Sequence, residues 1–400
     1  MSGTADPAST GHQATPDHRI VRALWPVLLA AVVSLFPFTI YSTFLVPIAE
    51  AVAADDAAVG ALRGLGGVAA LVTGVAIAPL LGRLPRHLTV TAGLGLLAVT
   101  SLLGSTGTYW ALVVFCLGIG TATAVLTPAL LATATAAFPR TGDSGRAATL
   151  VTATQSLAAV LAGPVIGVMA FWRGWDGALW ITAGLATAVA ALFLRGKQRV
   201  REPAKPVRYL QAFREFGSRP DVLALIGVAA LRTTSFMGYL SFLAAGYHDR
   251  FAMDASTFTL VWTLSGASFF AGNYLAGRWV RDGGFPASLL VSGLLGGLAA
   301  VLVVFTTTVL AIALAATVLM GFSHAIVAAV VTSLIAHRAG PLAPAAFSLN
   351  AAGMSLGVFA GAVIGGAGLG IAGNPGMACA LAVPTVLALP LVRVVFARPR

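Results

Sequence analysis

The chain has 400 residues, of which 58% are hydrophobic and only 9% are charged. None of its thirteen Asp and Glu residues lies near the centre of a long apolar run, as expected where an unpaired charge in lipid is costly. This composition excludes a soluble enzyme and predicts an integral membrane protein. The net charge of +11 is concentrated between the apolar runs, so we do not interpret it as a nucleic-acid-binding surface.

The first half of the chain has six apolar runs after a polar start. Residues 1–22 lack the short apolar core and cleavage site of a signal peptide, which predicts a cytoplasmic tail. A helix needs about 20 apolar residues to cross the hydrocarbon layer of a membrane. Runs of about this length predict membrane helices, named spans 1 to 6, at residues 23–47, 58–80, 88–105, 109–137, 147–171 and 177–194.

A basic linker at residues 195–221 precedes a second set of six runs. We interpret the linker as a topology signal, with binding of anionic lipid or a partner as the alternative. Cys116 and Cys379 both fall inside apolar runs and are interpreted as packing residues, not as a disulfide or metal site. The predicted bundles cover residues 23–194 and 222–397, with a short tail at 398–400, and spans 7 to 12 are predicted at 222–246, 257–279, 286–307, 309–335, 345–371 and 376–396.

The basic residues are distributed unequally between the two sides of the predicted membrane. With the N-terminus in the cytoplasm, the even-numbered loops and the two tails hold twenty of the 24 Lys and Arg residues. The odd-numbered loops hold only Arg173 and Arg250, and Arg63 and Arg232 lie within spans. This asymmetry follows the positive-inside rule. It predicts a multi-pass protein of a bacterial plasma membrane with both termini in the cytoplasm.

The two sets of six spans repeat each other in sequence. Span 5 reads VLAGPVIG at 160–167, and span 11 reads VFAGAVIG at 358–365. The loop after span 2, PLLGRLPRH at 79–87, matches LAGRWVRDGG at 275–284 after span 8. Duplicated membrane units are typical of secondary transporters, in which the substrate site lies between the halves and the halves rock around it. A channel or a receptor is the alternative, but neither explains the repeat.

Four motifs resemble the major facilitator superfamily and, within it, the drug:proton antiporter and arabinose-efflux type of permease. They are GNYLAGRWVRDGG at 272–284, AGPVIG at 162–167 followed by FWRGWDGALW at 171–180, GYLSFL at 238–243, and AFSLNAAGMSLGVFAGAVIGG at 346–366. The resemblance covers about residues 23–396. It implies an all-α major facilitator fold, with twelve helices in two pseudo-symmetric six-helix bundles.

Two groups of residues are expected to serve the rocking motion. The first is a set of conformational latches in the even-numbered loops, with plain anchoring by positive charge as the alternative; it comprises Arg83, Arg86, Arg278, Arg281 and Asp282. Gly82 and Pro85 depart from the family pattern, which has an Asp and a Gly at these places. The second group is a helix-packing motif of small residues and a proline: Gly163, Pro164, Gly167, Gly361 and Gly365.

Charged and polar side chains within the spans are the candidate substrate ligands. Arg232 and His324 lie near the middle of spans 7 and 10, and the resemblance implies that spans 1, 4, 7 and 10 line a central cavity. Structural alternatives remain open: Arg232 as a ligand of backbone carbonyls, and His324 as a packing residue. The candidates are Arg232, Tyr239, Ser235, Phe236, His324, Tyr41, Phe38, Thr123, Gln155, Trp262, Asn273 and Asn350.

The same residues suggest a substrate class and a coupling ion. Arg232 stays charged and has no acid in the span centres, so the sequence predicts a substrate that is anionic or a strong hydrogen-bond acceptor. The alternative is a water-filled cavity that solvates Arg232, with neutral compounds bound on Phe38, Phe236 and Trp262.

Span 1 lacks a carboxylate, which leaves His324 as the candidate proton carrier, with Glu50 and Asp56 as alternatives. We therefore expect a monomeric secondary transporter without cofactor, metal or nucleic-acid partner, exporting amphipathic or anionic compounds in exchange for protons. An importer, a uniporter or an exchanger of a small organic anion is the alternative.

Overall fold

The computed structural model describes residues 16–77, 84–138, 141–195, 219–281 and 286–397, and these residues form helices and turns without a β-strand. Ten helices in these ranges are long and apolar enough to cross a membrane. Two further crossings follow from the helix Ala255–Arg281, which has 27 residues but is more polar, and from a break inside the last helix. The predicted all-helical membrane fold is confirmed.

Span 1 is divided into three short helices, Asp17–Val33, Phe36–Thr43 and Leu45–Ala51. Each break lies a few residues before a proline, Pro37 or Pro47, and proline has no amide to continue the helix ladder. The described part of span 2 ends in a π-helical turn, Thr73–Ile77. The helices of spans 2 to 6 are Asp56–Val72, Arg86–Gly104, Tyr109–Ala137, Thr141–Ala170 and Gly174–Arg195.

The second half has the same layout, and spans 7 to 10 are Pro220–Phe251, Ala255–Arg281, Pro286–Thr306 and Leu310–Ala339. Several helices extend beyond their predicted ends. Span 7 continues to Phe251, five residues past its predicted end, and span 5 begins six residues before its predicted start. Hydrophobicity marks where lipid begins, whereas a helix continues into the polar interface as long as its hydrogen-bond ladder is intact.

Spans 11 and 12 lie in one helical segment, Ala343–Phe396, which has 54 residues and no long loop between the spans. A straight helix of that length would measure about 80 Å, far more than the hydrocarbon layer. The stretch is broken at Ala372 and Gly373, and Gly373 has a φ of 62°, which residues with a Cβ rarely adopt. Gly368 then packs against Gly376, so the chain folds back as two antiparallel spans.

The loops lie at two opposite ends of the bundle, the odd-loop end and the even-loop end. At the odd-loop end, Asn374 of loop 11–12 donates to Asp249 at 3.2 Å, and Arg250 donates to the carbonyl oxygen of Thr307 in loop 9–10 at 3.3 Å. At the even-loop end, Arg338 in the last turn of span 10 lies 3.5 Å from Asp221 of span 7. Arg338 also donates to the Val395 carbonyl of span 12. Polar contacts therefore join different segments of the second half at each of its two ends.

Equivalent spans of the two halves begin in the same way. Asp55 precedes span 2, and its Oδ1 accepts a hydrogen bond from the amide of Ala58 at 2.5 Å. Asp254 precedes span 8, and its Oδ1 accepts from the amide of Thr257 at 3.3 Å. Each carboxylate satisfies a free amide of the first helical turn, which is the usual role of an N-cap. The hydrogen bonds from Thr257 hold the pKa of Asp254 below its usual value.

The outer surface of the bundle is apolar, as expected for a protein surrounded by lipid. Val168 and Ile371 are 77% and 85% exposed, and Trp110, Phe171 and Trp172 are also exposed near the odd-loop end. Aromatic residues at this level are typical of the membrane interface. The chain is therefore a multi-pass membrane protein.

The orientation of the bundle in the membrane is a separate prediction, which rests on the distribution of basic residues. A topology reporter fused after Arg201 should be active only in the cytoplasm, and one fused after Asp249 should be active only outside. The measurement is the paired activity of a phosphatase and a fluorescent reporter at both positions. Two reporters on the same side would contradict the twelve-span topology.

Candidate functional site

Spans 5 and 8 form one of the two closest contacts between the halves. A Cβ built on Gly163 of span 5 would overlap the carbonyl oxygen of Thr259 and the hydroxyl of Thr263 in span 8. On the other side of the contact, a Cβ on Gly266 would lie 2.5 Å from the carbonyl oxygen of Ala159. The two backbones therefore touch at glycines, as small residues permit between membrane helices.

Spans 2 and 11 form the second contact between the halves. A Cβ on Gly64 would lie 3.0 Å from the Phe359 carbonyl oxygen, and one on Gly67 would overlap the carbonyl of Ser355. The sequence analysis missed these two glycines, although their near-helical spacing is a detectable signal. Of the predicted motif, Gly163 faces the other half, whereas Gly361 and Gly365 pack against span 7 of their own half.

Both contacts extend to the odd-loop end; in the second, a Cβ on Gly366 of span 11 would lie 2.9 Å from the Ala57 carbonyl oxygen at the start of span 2. Gly163 is one to two turns from the end of span 5 at Ala170, and Thr259 is about one turn from the start of span 8.

Near the odd-loop end, a cavity of about 160 Å³ separates span 1 from spans 7 and 8, and Glu50, His248 and Asp254 contribute titratable groups to its lining. The structure thus places Glu50 at a junction between the halves.

Arg63 of span 2 also reaches across the interface between the halves. Its side chain is buried, with 7% exposed, and Nη1 donates to the Ser241 hydroxyl of span 7 at 3.4 Å. The guanidinium lies 5.6 Å from the ring centre of Phe38 in span 1, and its Nε has no hydrogen-bond acceptor. No carboxylate of the described residues pairs with Arg63. The sequence analysis recorded Arg63 as a charge within a span but did not include it among the site residues.

Arg232 and His324, the two central predictions, are in direct contact. Nη1 of Arg232 lies 2.8 Å from Nε2 and 3.1 Å from Nδ1 of the imidazole, and it donates to the His324 carbonyl oxygen at 3.1 Å. Both side chains are buried, with 6% and 7% exposed. A guanidinium can only donate, so the imidazole nitrogen that it contacts must be an unprotonated acceptor. The contact therefore requires neutral His324.

Aromatic rings continue this cluster along span 7. Phe236 stacks on His324 with ring centres 3.5 Å apart, and Tyr239 stacks on Phe236 at 5.9 Å. Tyr239 is fully buried, and its hydroxyl has no hydrogen-bond partner in the described part of the chain. Ser235 donates to the Leu381 carbonyl of span 12 at 2.8 Å. The polar stripe predicted for span 7 is thus in contact with spans 10 and 12 of its own half.

A cavity of about 20 Å³ lies beside Arg232, between spans 7, 9, 10 and 12. Its lining includes Ser235, Phe236 and His324, together with Ser323 and Thr385, which the sequence analysis did not select. The structure therefore brings four of the predicted substrate ligands together, but inside the second half and not at the interface between the halves. Their role in substrate binding stays a prediction.

The remaining candidates are distributed over both halves. Tyr41 is buried and donates to the Val59 carbonyl oxygen at 2.7 Å, and its ring stacks on Phe115 at 5.8 Å. The Thr123 hydroxyl bonds back to its own helix, at 2.9 Å from the Ile119 oxygen.

Trp262 is buried, with its ring centre 6.5 Å from that of Phe258, and the amide of Asn350 donates to the Met354 sulfur at 3.4 Å. The remaining candidates are partly buried: Phe38, Gln155, Asn273 and Asn350.

The predicted latches are only partly within the described residues. Arg278 is exposed, and its Nη1 lies 3.5 Å from the Tyr274 hydroxyl one turn earlier. Arg86 is half-buried at the start of span 3. Arg83, Asp282 and the side chain of Arg281 lie outside the described residues. The latch role of all five residues stays a prediction.

Solved structures of transporters share this fold. A bacterial homologue of the human lysosomal transporter Spinster, in an inward-facing and occupied conformation, has a TM-score of 0.77 at 16% identity, over 96% of this chain and 97% of that chain. The nucleoside transporter NupG, in a mutant form, has a TM-score of 0.72 at 15% identity, over 93% and 100%. The human organic anion transporter MFSD10 (TETRAN) has a TM-score of 0.63 at 17% identity, over 95% and 100%.

The sequence itself matches a family model. No curated protein matches the chain. The model of the Major Facilitator Superfamily matches residues 27–341, which include the predicted motifs of spans 5, 7 and 8. With the helical fold and the paired halves described above, this match identifies a transporter and not an enzyme. The chain belongs to the Major Facilitator Superfamily.

Proposed function

We propose that this secondary transporter exports amphipathic or anionic compounds across the bacterial plasma membrane in exchange for protons. The supporting observation is the contact of spans 2 and 5 with spans 11 and 8, which joins the halves toward one end of the bundle. If the odd-numbered loops face outward, as the positive-inside rule indicates, this is an inward-facing state. Export then requires the glycine contacts to open and close in each cycle.

The buried Arg63 supports an anionic or amphipathic substrate. Arg63 lies at the interface between the halves, without a carboxylate partner in the described residues and next to the ring of Phe38. A cation beside an aromatic face suits a molecule that carries both a negative group and an apolar body. We therefore add Arg63 to the candidate ligands proposed from the sequence.

Proton coupling is proposed at His324, with Glu50 and Asp56 as the alternative. Neutral His324 accepts from Arg232 at 2.8 Å, so protonation would bring two cations into contact and force them apart. A proton on His324 would thus change the packing between spans 7 and 10. Glu50 is the alternative proton carrier because it lines a cavity between the halves, which a proton can enter from the odd-loop end.

A transport screen tests the function directly. The protein is reconstituted into proteoliposomes, and a pH gradient is imposed while uptake is measured for a panel of matched amphipathic anions, cations and neutral compounds. We expect gradient-driven uptake that is strongest for the anions. Uptake that is independent of the pH gradient, for compounds that the protein does carry, would favour a uniporter or an exchanger.

The His324→Gln variant separates the two coupling proposals. Glutamine retains an acceptor for Arg232 but cannot take up a proton near neutral pH. We expect accumulation driven by the pH gradient to be lost, while exchange of labelled for unlabelled substrate continues. The matched variant is Glu50→Gln at the odd-loop cavity. Accumulation with unchanged pH dependence in His324→Gln, and its loss in Glu50→Gln, would move the coupling site to Glu50.

A further inference from the structure

The cavity beside Arg232 is surrounded by hydrogen-bond donors that have no acceptor in the protein. The Nε of Arg232 is buried without a partner. Ser323 and Thr385 are 3% and 4% exposed, line the cavity, and make no side-chain hydrogen bond within the described part of the chain. Buried polar groups are normally satisfied, so three free donors around one cavity indicate a bound acceptor.

The positive charge beside the cavity also indicates a bound acceptor, and specifically an anion. Arg232 remains protonated in proteins, and no Asp or Glu of the described residues pairs with it. Its neighbours in the lining are the neutral His324, hydroxyl groups, Phe236 and aliphatic residues. The imidazole of His324 accepts from Arg232 and is neutral, so it supplies no counter-charge. A charge buried without a counter-charge is costly, and a water molecule cannot neutralise it.

The size of the cavity limits what can occupy it. A volume of about 20 Å³ holds one water molecule or one monatomic ion, since a single water needs roughly 10–15 Å³ on this measure. Gly293 and Gly297 of span 9 leave this room, because neither has a side chain to fill it. An organic substrate is too large for the space.

We propose that the second half of the transporter binds one halide ion, chloride in the cell, between spans 7, 9, 10 and 12. The ion accepts from the guanidinium of Arg232 and from the hydroxyls of Ser323 and Thr385. It supplies the counter-charge that the described residues lack and joins Thr385 of span 12 to the Arg232–His324 contact of spans 7 and 10. The cavity lies inside the second half, whereas the glycine contacts and Arg63 lie between the halves, so the inference does not depend on the proposed direction of transport.

Thermal unfolding of the purified protein in detergent tests the proposal. Sodium chloride is titrated against sodium gluconate at constant ionic strength, and the unfolding midpoint is followed by tryptophan fluorescence. We expect a saturable rise of the midpoint with chloride, because a ligand that binds only the folded state stabilises it. Bromide should act similarly and should give an anomalous scattering peak in the cavity of a crystal.

Conservative variants make the test specific to the cavity. Ser323→Ala and Thr385→Val each remove one donor, and each should raise the half-saturating chloride concentration about tenfold. Their controls are Ser101→Ala and Thr182→Val, which remove buried hydroxyls of the first half that bond to their own helices. Arg232→Gln should remove the chloride response altogether. A wild-type midpoint that is independent of chloride, or an equal response in the cavity and control variants, would overturn the halide site; the first result would leave a water molecule in its place.

Discussion

Gly163→Val is expected to stop transport almost completely while leaving a folded protein. The glycine lies against the Thr259 carbonyl of span 8, where even a Cβ would overlap backbone atoms. A backbone contact cannot yield by a change of rotamer, so the two helices must move apart. Overpacking of this kind costs about 1–3 kcal/mol, which reduces the population of the state with joined halves by between about fivefold and 150-fold.

Uptake into proteoliposomes measures this effect, with the amphipathic anion that the wild-type protein carries fastest. The position of the equilibrium is measured separately, through labelling of Val46→Cys in the odd-loop cavity by a membrane-impermeant thiol reagent, after Cys116 and Cys379 have been replaced by Ala. Gly163→Val should be labelled faster than the parent. Gly184→Val is the control, because a Cβ at Gly184 of span 6 meets nothing within 4 Å. Wild-type uptake by Gly163→Val would remove the proposed role of this contact.

The crossings of the membrane follow from the sequence because lipid imposes a simple condition. Long apolar runs in lipid must form helices, and each of the twelve predicted spans contains a helix. The helix ends were less predictable, since the ladder of span 7 continues through polar residues as far as Phe251. The break at Gly373 was predicted as a loop, although no polar residue except Asn374 marks it within the run.

The partners of the buried charges could not be predicted in the same way. Hydropathy shows that Arg63 and Arg232 are unusual, but it does not show which face of a helix points to which neighbour. The contact of Arg232 with His324 joins residues 92 positions apart, and that of Arg63 with Ser241 joins residues 178 positions apart. Such pairs depend on the rotation of each helix within the bundle. A resemblance to a family suggests which spans line a cavity, but it does not fix these rotations.

The side of span 7 on which Arg232 lies is one rotation that the resemblance did not predict. The sequence analysis assigned the stripe of Arg232, Ser235 and Phe236 to the central cavity because span 7 lines it in similar proteins. In the structure, Ser235 bonds to span 12 and Phe236 stacks on span 10, so this stripe is in contact with the core of the second half. Arg63, in contrast, is buried between the halves, where it contacts Phe38 of the first half and Ser241 of the second.

Arg63→Gln is expected to weaken transport of anions selectively. Gln removes the charge but retains polar atoms that can reach Ser241. Loss of a charge-assisted hydrogen bond costs about 1.5–3 kcal/mol, so the KM for an anionic substrate should rise by between about tenfold and a hundredfold. The KM for a neutral analogue of the same size should change little. Arg63→Lys keeps the charge and should recover part of the affinity, although an ammonium cannot form the paired hydrogen bonds of a guanidinium.

The comparison of two substrates decides between a ligand and a structural residue. If Arg63 only joins the halves through Ser241, its loss should slow anionic and neutral substrates by the same factor, and Ser241→Ala should reproduce that effect because it removes the same 3.4 Å contact. If Arg63 binds the anion, Ser241→Ala should leave the preference for anions intact, since the guanidinium and the ring of Phe38 remain in place. Equal losses for both substrates in Arg63→Gln, matched by Ser241→Ala, would therefore assign Arg63 to the interface alone and withdraw the anionic substrate class that its buried charge supports.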